Sequence, residues 1–314
     1  MNTFKKIGLT ALASSLVVTS AVAGEVSVAG GASIGVKNTS KSATGKSWTM
    51  GNQLTFSGSG ELDNGMNVSV SFVLDQGDDT AVTSGPFDSH SVTVSSDSMG
   101  TLVFSGEGGS SAQTAIDTTA AGDLWNNGSG ITGPLASEAG NNSLMYTLPS
   151  FMDDVTLKAS YSPGSAGGGS ATAWSAGFTG VEGLSVDVGI GQTETVGAKV
   201  EHTTMKASYA ISSFTVGYSM TENEGTAVSN EEMTSWNVAY TVSDDMSLTY
   251  GHETLETVGS TTDEEMDGFG VSYTTGGVTL TANQYNASGV GNSSAETSST
   301  GEKERWALGA SFAF

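Results

Sequence analysis

The segment MNVSVSFVL (residues 66–74) alternates apolar side chains with small polar ones along almost its whole length. The same period of two recurs in FTVGYSM (214–220) and in WALGASFAF (306–314). Because successive side chains of a β-strand point to opposite faces of the sheet, each segment has one apolar face and one small or polar face. A soluble sandwich would turn the apolar face inward. A membrane barrel turns it outward to lipid and encloses water, and that arrangement suits this chain better.

Composition narrows the class of protein. The 314-residue chain carries ten Lys and Arg against 33 Asp and Glu, a formal net charge of −23, and it has no Cys. Its hydrophobic content of 37% combined with this charge is typical of disordered chains. Disordered chains do not keep a regular period, whereas a transmembrane barrel needs apolar residues only on its outer rows. The acidic excess argues against nucleic-acid partners and favours cations near the protein.

The start of the chain has the features of a secretory signal. Lys5 and Lys6 precede the apolar residues 7–18, and Ala21-Val22-Ala23 fits a cleavage site. The apolar run is shorter than the roughly 20 residues of a membrane-spanning helix. We therefore predict a signal peptide over residues 1–23 and a single barrel over residues 24–314.

The alternation predicts an all-β protein, a transmembrane antiparallel up-and-down barrel of sixteen strands. An even number is expected of a closed bacterial barrel and puts both termini in the periplasm. The expected strands cover residues 25–37, 47–62, 66–75, 88–97, 101–107, 141–148, 154–162, 171–179, 184–194, 202–211, 214–222, 232–242, 246–255, 265–275, 278–286 and 303–314. Short and long connections alternate, and the short ones include Asn64-Gly65 and Gly276-Gly277, which suit tight hairpins.

The longest connection, residues 108–140, is called the third loop because it is the third of the long external ones. Connections of this length are uncommon and usually functional. A mobile surface loop is one interpretation and a loop folded back into the lumen is the other. Its apolar residues, among them Ile116, Leu124 and Trp125, favour packing over exposure to water. We predict that the third loop folds into the lumen.

Several motifs together resemble the general diffusion porins of Gram-negative outer membranes, in particular the alphaproteobacterial branch. They are GTLVF (100–104) before the third loop, YTLPSF (146–151), the strand 155–161 and the terminal Phe314. The resemblance covers the whole chain after the signal. It implies a sixteen-stranded homotrimer in the outer membrane of a Gram-negative bacterium, with a third loop that narrows each pore.

The resemblance also implies a constriction in which acids of the third loop face basic residues of the barrel wall. The acidic candidates lie in the third loop or beside it: Glu107, Asp117, Asp123 and Glu138. The basic candidates are the cations that strand parity turns inward: Lys37, Lys158, Lys206 and Arg305. Porin walls usually carry a denser basic cluster, and Arg305 is the single Arg of this chain. We therefore predict a weak transverse field and a pore that prefers cations.

Other groups point to no chemistry. His90, His202 and His252 are scattered and are expected to be solvated. No nucleophile, base and orienting acid are grouped, so we expect no enzyme. Acids cluster at residues 75–79, 222–224, 231–232 and 263–267, all expected in external loops. They are either solvated charges or weak Ca²⁺ ligands, and without EF-hand spacing we assign no metal site and expect no cofactor.

The favoured function is a water-filled channel, surrounded by outer-membrane lipid, for passive diffusion of small hydrophilic solutes and ions. The alternative is a plugged or structural barrel that acts in surface interaction. Inward rows of Ser, Thr, Gly and Asn favour the open pore, because a plugged lumen needs bulky packed side chains. Aromatic residues near strand ends are expected to form interfacial girdles. The small outward row Val28, Gly30, Ala32 and Ile34 is the expected subunit interface.

Overall fold

A computed structural model of the chain describes residues 25–40, 45–75, 87–127, 130–131, 133, 141–164, 169–195, 197–225, 230–297 and 300–314. Within these ranges the strands are β1 (Glu25–Thr39), β2 (Lys46–Glu61), β3 (Asn67–Asp75), β4 (Phe87–Ser96), β5 (Gly100–Glu107), β6 (Ser143–Thr147), β7 (Val155–Ser162), β8 (Ala171–Val181), β9 (Leu184–Thr195), β10 (Ala198–Ile211), β11 (Phe214–Gly225), β12 (Glu231–Ser243), β13 (Met246–Thr257), β14 (Glu264–Thr275), β15 (Val278–Val290) and β16 (Gly301–Ala313). A short helix α1 (Thr114–Asp117) and a 3₁₀ turn (Leu124–Asn127) lie in the third loop. The predicted signal peptide lies outside the described residues.

The strands form one closed sheet in which each strand pairs with its neighbours in sequence and β1 pairs with β16. The predicted sixteen-stranded antiparallel barrel is therefore confirmed. The seam ends at Phe314, whose backbone N donates to Gly30 O at 2.9 Å while Gly30 N donates to Phe314 O at 2.7 Å. The Phe314 ring lies so close that a Cβ on Gly30 would be 2.4 Å from it. Closure removes the unpaired edges that an open sheet would expose.

The register aligns side chains of one kind around the barrel. Val70, for example, pairs with Gly58 and Val92, whereas Ser71 pairs with Ser57 and Ser91. The outer rows expose large apolar side chains, such as Trp174 at 60% and Ile190 at 58% exposure. The outer rows are therefore apolar, as contact with lipid requires, and the inner rows are mostly small and polar. One apolar cluster of the described residues lies on the inner face.

Several strands are longer than the hydrophobic pattern predicts. β10 begins at Ala198, β11 continues to Gly225 and β15 continues to Val290. Most acids expected in external loops lie on strands: Asp75, Glu222, Glu224, Glu231, Glu232, Glu264, Glu265 and Asp267. Asp78 and Asp79 lie outside the described residues. The assignment to loops was wrong because the backbone ladder needs no apolar side chains once the strands leave the apolar band. In the described parts of the chain, no helix is both long and apolar enough to cross a membrane.

Candidate functional site

Backbone N–H groups of the third loop donate to serine side chains of the barrel wall. Ala112 N donates to Ser160 Oγ of β7 at 2.8 Å. Further along, Ala120 N donates to Ser219 Oγ of β11 at 2.8 Å, and Ala121 N donates to Ser235 Oγ of β12 at 2.9 Å. Ser219 pairs with Ser235 and belongs to the row opposite the exposed Tyr218 and Trp236, which is the inner row. Successive loop residues thus bond to the inner faces of neighbouring strands.

A buried carboxylate of the wall accepts two hydrogen bonds from the third loop. Glu253 of β13 is 2% exposed, and its Oε2 accepts a hydrogen bond from Trp125 N at 2.9 Å. Its Oε1 accepts a hydrogen bond from the Thr119 hydroxyl. A carboxylate removed from water needs such donors, since a charge buried without partners is very costly. Glu253 therefore ties both ends of the segment 119–125 to the wall.

A compact turn presents that segment to Glu253. Asp123 Oδ1 accepts a hydrogen bond from Thr119 N at 2.8 Å, and Asp123 N donates to Thr119 Oγ1 at 2.7 Å. Asp123 has a φ of +56°, a conformation that Asp tolerates better than most residues. The two reciprocal bonds close the turn. The contact that the structure shows for the Asp123 carboxylate therefore fixes the conformation of the loop.

Glycines make room for the loop on the wall. A Cβ on Gly251 of β13 would lie 2.6 Å from the Cβ of Ala121, and one on Gly268 of β14 would lie 2.5 Å from Leu124 Cδ2. Both glycines face inward, since they pair with each other in the row of Glu253 and Met266. A side chain at either position would therefore push the loop away from the wall.

An apolar cluster holds the far end of the described loop. Leu124 and Ile131 pack with Met266, Ala287 and Val290 of β14 and β15, all five less than 9% exposed. Burial of a Leu, Ile, Met or Val side chain contributes on the order of 1.5–3 kcal/mol. The cluster adds non-directional stabilisation to the hydrogen bonds, and it extends the contact area of the loop to β15.

The acidic site candidates occupy different environments. Glu107 ends β5 and pairs with His90 of β4. Asp117 lies in α1, with its side chain outside the described part of the chain, and Glu138 is outside it altogether. The Asp123 carboxylate is bonded within the loop. Of the four side chains the structure describes those of Glu107 and Asp123, and the pore role of all four stays a prediction.

The basic site candidates all lie at inner positions. Lys206 Nζ donates to Thr118 O of the third loop at 2.7 Å. Lys158 of β7 pairs with Thr147 and Ser175, away from that contact. Lys37 and Arg305 share a groove on the inner faces of β1 and β16. Among described residues the two ion pairs are Lys199–Glu201 and His252–Asp267, which involve none of these four cations.

Comparison with protein families identifies the family to which this barrel is related. The model of the Gram-negative porin matches residues 8–313. The chain belongs to this porin family. The protein is accordingly a porin of the outer membrane, and the resemblance seen in its motifs is confirmed.

Solved structures share the fold of this porin at low identity. A loop L8 deletion mutant of OmpT, an outer-membrane protein of Vibrio cholerae, matches with a TM-score of 0.73 and 17% identity over 93% of this chain and 100% of that one. An anion-selective porin from Comamonas acidovorans matches with a TM-score of 0.68 and 14% identity, covering 93% and 100%. A trimer form of Vibrio cholerae OmpT matches at 0.71 and 16%, also covering 93% and 100%. No curated protein matches the chain.

The histidines of the porin differ from expectation in one case. His202 is only 3% exposed and faces inward, with its Nδ1 2.9 Å from Asn223 Oδ1, so the prediction that it is solvated was wrong. Inner rows can be buried where side chains of neighbouring strands pack together. His252 lies 3.1 Å from Asp267 Oδ1, and His90 is exposed. Within the described ranges, no three His, Cys, Asp or Glu are placed to hold a metal ion.

Sequence reasoning missed the wall residues that attach the loop. Glu253, Ser219 and Ser235 look like ordinary polar members of inner rows in a chain rich in Ser and acids. The single signal that could have found one of them is parity. Glu253 is an acid at an inward position in the middle of β13, and the other inward positions of this strand carry neutral side chains.

Proposed function

We propose that this porin is a passive, water-filled channel for small hydrophilic solutes and ions, that its third loop narrows the lumen, and that it prefers cations. The observation that supports a narrowing is the row of bonds from the third loop to Ser160, Ser219, Ser235 and Glu253. Together with the apolar cluster, these bonds hold the loop against the inner faces of β7 and β10–β15. This surface is called the loop-bearing wall.

Space for solutes is expected on the other side of the lumen. The inner faces of β16, β1 and β2, called the hydroxyl wall, consist of the odd-numbered residues 305–311, 27–39 and 47–59. These positions carry mainly Ser, Thr, Gly and Ala. Short hydroxylated side chains leave volume for water and offer hydrogen bonds to it, which favours an open pore over the plugged alternative.

The preference for cations rests on the charge balance. The formal net charge of the chain is −23, which raises the local concentration of cations. Two inward cations are turned to backbone oxygens: Lys206 bonds to Thr118 O, and Lys303, which is 4% exposed, bonds to Thr297 O at 2.8 Å. These bonds fix the position of both ammonium groups without neutralising them, so the acidic excess of the chain supports the preference.

Assembly as a homotrimer is proposed from the outer face of β1. The exposed Val28 and Ile34 flank the small Ala32 and Gly30, and the exposed Phe314 ring lies against Gly30, which together offer an apolar surface to another barrel. A trimer form is known for the OmpT relative of the same fold. Lipid would cover the remaining outer rows. Weak Ca²⁺ binding at the acidic strand ends, the absence of a cofactor and the absence of enzyme activity stay predictions.

The test is single-channel recording in a planar bilayer with a KCl gradient. Discrete steps, often in threes, and a reversal potential of the cation-selective sign are expected. Lys158→Glu combined with Lys206→Glu should increase cation preference, whereas Lys46→Glu, on the outer face, should not. An unchanged reversal potential in the double variant would contradict the assigned wall cations. Silence from a folded, heat-modifiable barrel would support the plugged alternative.

A further inference from the structure

The hydroxyl wall contains a groove of about 340 Å³ that no described residue of the third loop lines. Its floor is made of residues with little or no side chain, among them Gly35, Ala307 and Gly309. Small-molecule sites typically measure about 300–1,000 Å³, so the groove is large enough for a small solute. It follows the strands and therefore runs along the wall of the lumen.

Two cations lie at the external end of this groove. Lys37 stands near the end of β1 and Arg305 near the start of β16, and the register places Arg305 opposite Thr39 in the row of Lys37. None of the described residues that line the groove is acidic. The positive charge is thus uncompensated within the groove, in a chain that has three times as many acids as bases.

Arg305 is held in place and has a donor to spare. Its guanidinium carbon lies 6.0 Å from the centroid of the Tyr285 ring, which restricts the orientation of the fork. Its Nε is buried and has no hydrogen-bond partner among the described residues. The buried Nε is closed to a solute, whereas the two terminal NH₂ groups of the planar fork, on the side of Arg305 that lines the groove, match a carboxylate in a bidentate arrangement.

Hydroxyl groups line the rest of the groove. Ser33, Thr49, Thr281 and Ser311 lie along its length, toward the periplasmic end from the two cations. Each hydroxyl can donate one hydrogen bond and accept others, so this part of the groove complements a chain of solute hydroxyls. The groove therefore has two cations at its external end and hydroxyl groups along the rest of its length.

We propose that the groove is a binding subsite for small polyhydroxylated carboxylates, sugar acids of the gluconate type. Arg305 and Lys37 hold the carboxylate, and the Ser and Thr hydroxyls hold the solute hydroxyls. The inference rests on the proposed function because the solute reaches the groove through an open lumen. Binding is weak, as it must be in a channel that releases what it admits. The subsite makes the pore attract this anion class although its overall preference is for cations.

Calorimetry on the folded protein in detergent micelles tests the subsite by measuring the affinity for gluconate. Acetate, which has only the carboxylate, and glucose, which has only the hydroxyls, are measured for comparison. Gluconate should bind at least about fivefold more tightly than either half, since only gluconate uses both regions. Arg305→Gln and Lys37→Gln should each weaken gluconate about tenfold, as expected for loss of a charge-assisted bond, and Arg305→Lys should weaken it less. Lys46→Gln removes a nearby charge from the outer face and should leave affinity unchanged.

Heat-modifiable migration of each variant confirms folding, and Arg305→Lys with Lys37→Gln carries the test if Arg305→Gln does not fold. The proposal is overturned if gluconate binds no better than acetate. It is also overturned if the variants at Arg305 and Lys37 bind gluconate as tightly as the wild type does. The readout is independent of ion current. A barrel that conducts in KCl without binding gluconate therefore contradicts only the subsite, and one that binds gluconate without conducting contradicts only the proposed channel.

Discussion

The loop-bearing wall and the hydroxyl wall have the same alternating pattern and different environments. On the loop-bearing wall, Ser219, Ser235 and Glu253 are 3%, 1% and 2% exposed. On the hydroxyl wall, Ser33 and Thr49 are exposed. Both sets are polar residues of inner rows, so the pattern that selects the inner face does not decide whether a residue meets water. The third loop decides that, and each of the following experiments changes the difference between the two walls.

Deletion of residues 112–135 should have the largest effect, because it would expose the loop-bearing wall and make the two walls alike. We expect conductance to rise by about twofold, since a wider opening admits more ions. Single-channel recording measures this. Replacement of 112–125 by a Gly/Ser segment of equal length keeps the length of the loop and removes its bonds to the wall. Unchanged conductance in both variants would show that the loop does not narrow the lumen.

Glu253→Ala should release the segment 119–125 from the wall. Trp125 N and the Thr119 hydroxyl would lose their acceptor, and hydrogen bonds to charged groups are worth about 1.5–3 kcal/mol. Hydrogen exchange of residues 119–125 should accelerate accordingly, with added noise in the open-channel current. Glu265→Ala, at an exposed outer position of the next strand, is the matched control. Unaltered exchange in Glu253→Ala would mean that the cluster around Leu124 suffices to hold the loop.

Gly251→Ala tests the close approach of loop and wall. The new Cβ would clash with Ala121, and overpacking of this kind costs typically 1–3 kcal/mol. The loop should shift toward the lumen centre, which would reduce conductance while barrel stability changes little. Gly31→Ala is the counterpart on the hydroxyl wall, where a Cβ would meet its nearest neighbour at an ordinary 3.6 Å. Equal behaviour of the two variants would contradict the difference between the walls.

Ser235→Ala should have the smallest effect. Ala121 N would lose one neutral acceptor, worth about 0.5–1.5 kcal/mol, while the neighbouring bonds persist. The Ala121 amide should exchange faster with no measurable change in conductance. Ser57→Ala, an inner serine of β2, should change neither property. A large conductance change in Ser235→Ala would show that this one bond sets the position of the loop.

Much of the architecture was predictable because it depends on local periodicity. The pattern in residues 66–74 and 306–314 assigned faces, and Asn64-Gly65 marked a turn whose Gly65 has a φ of +80°. Strand ends were less predictable: β11 continues past the predicted end at residue 222 through Glu224, because hydrogen bonds to the neighbouring strand form without regard to hydropathy. The burial of His202 was missed since it depends on Asn223 of the adjacent strand.

Sequence by itself determined the strand number, the antiparallel order, the outward apolar rows and the family, because each follows from period two, turn residues and motifs along the chain. Only the tertiary structure decided which inner residues the third loop covers and which cations remain without a partner. Those properties depend on contacts between residues far apart in sequence, such as Trp125 with Glu253 and Tyr285 with Arg305. Alternation assigns a side chain to a face, but the opposing surface determines what that side chain meets.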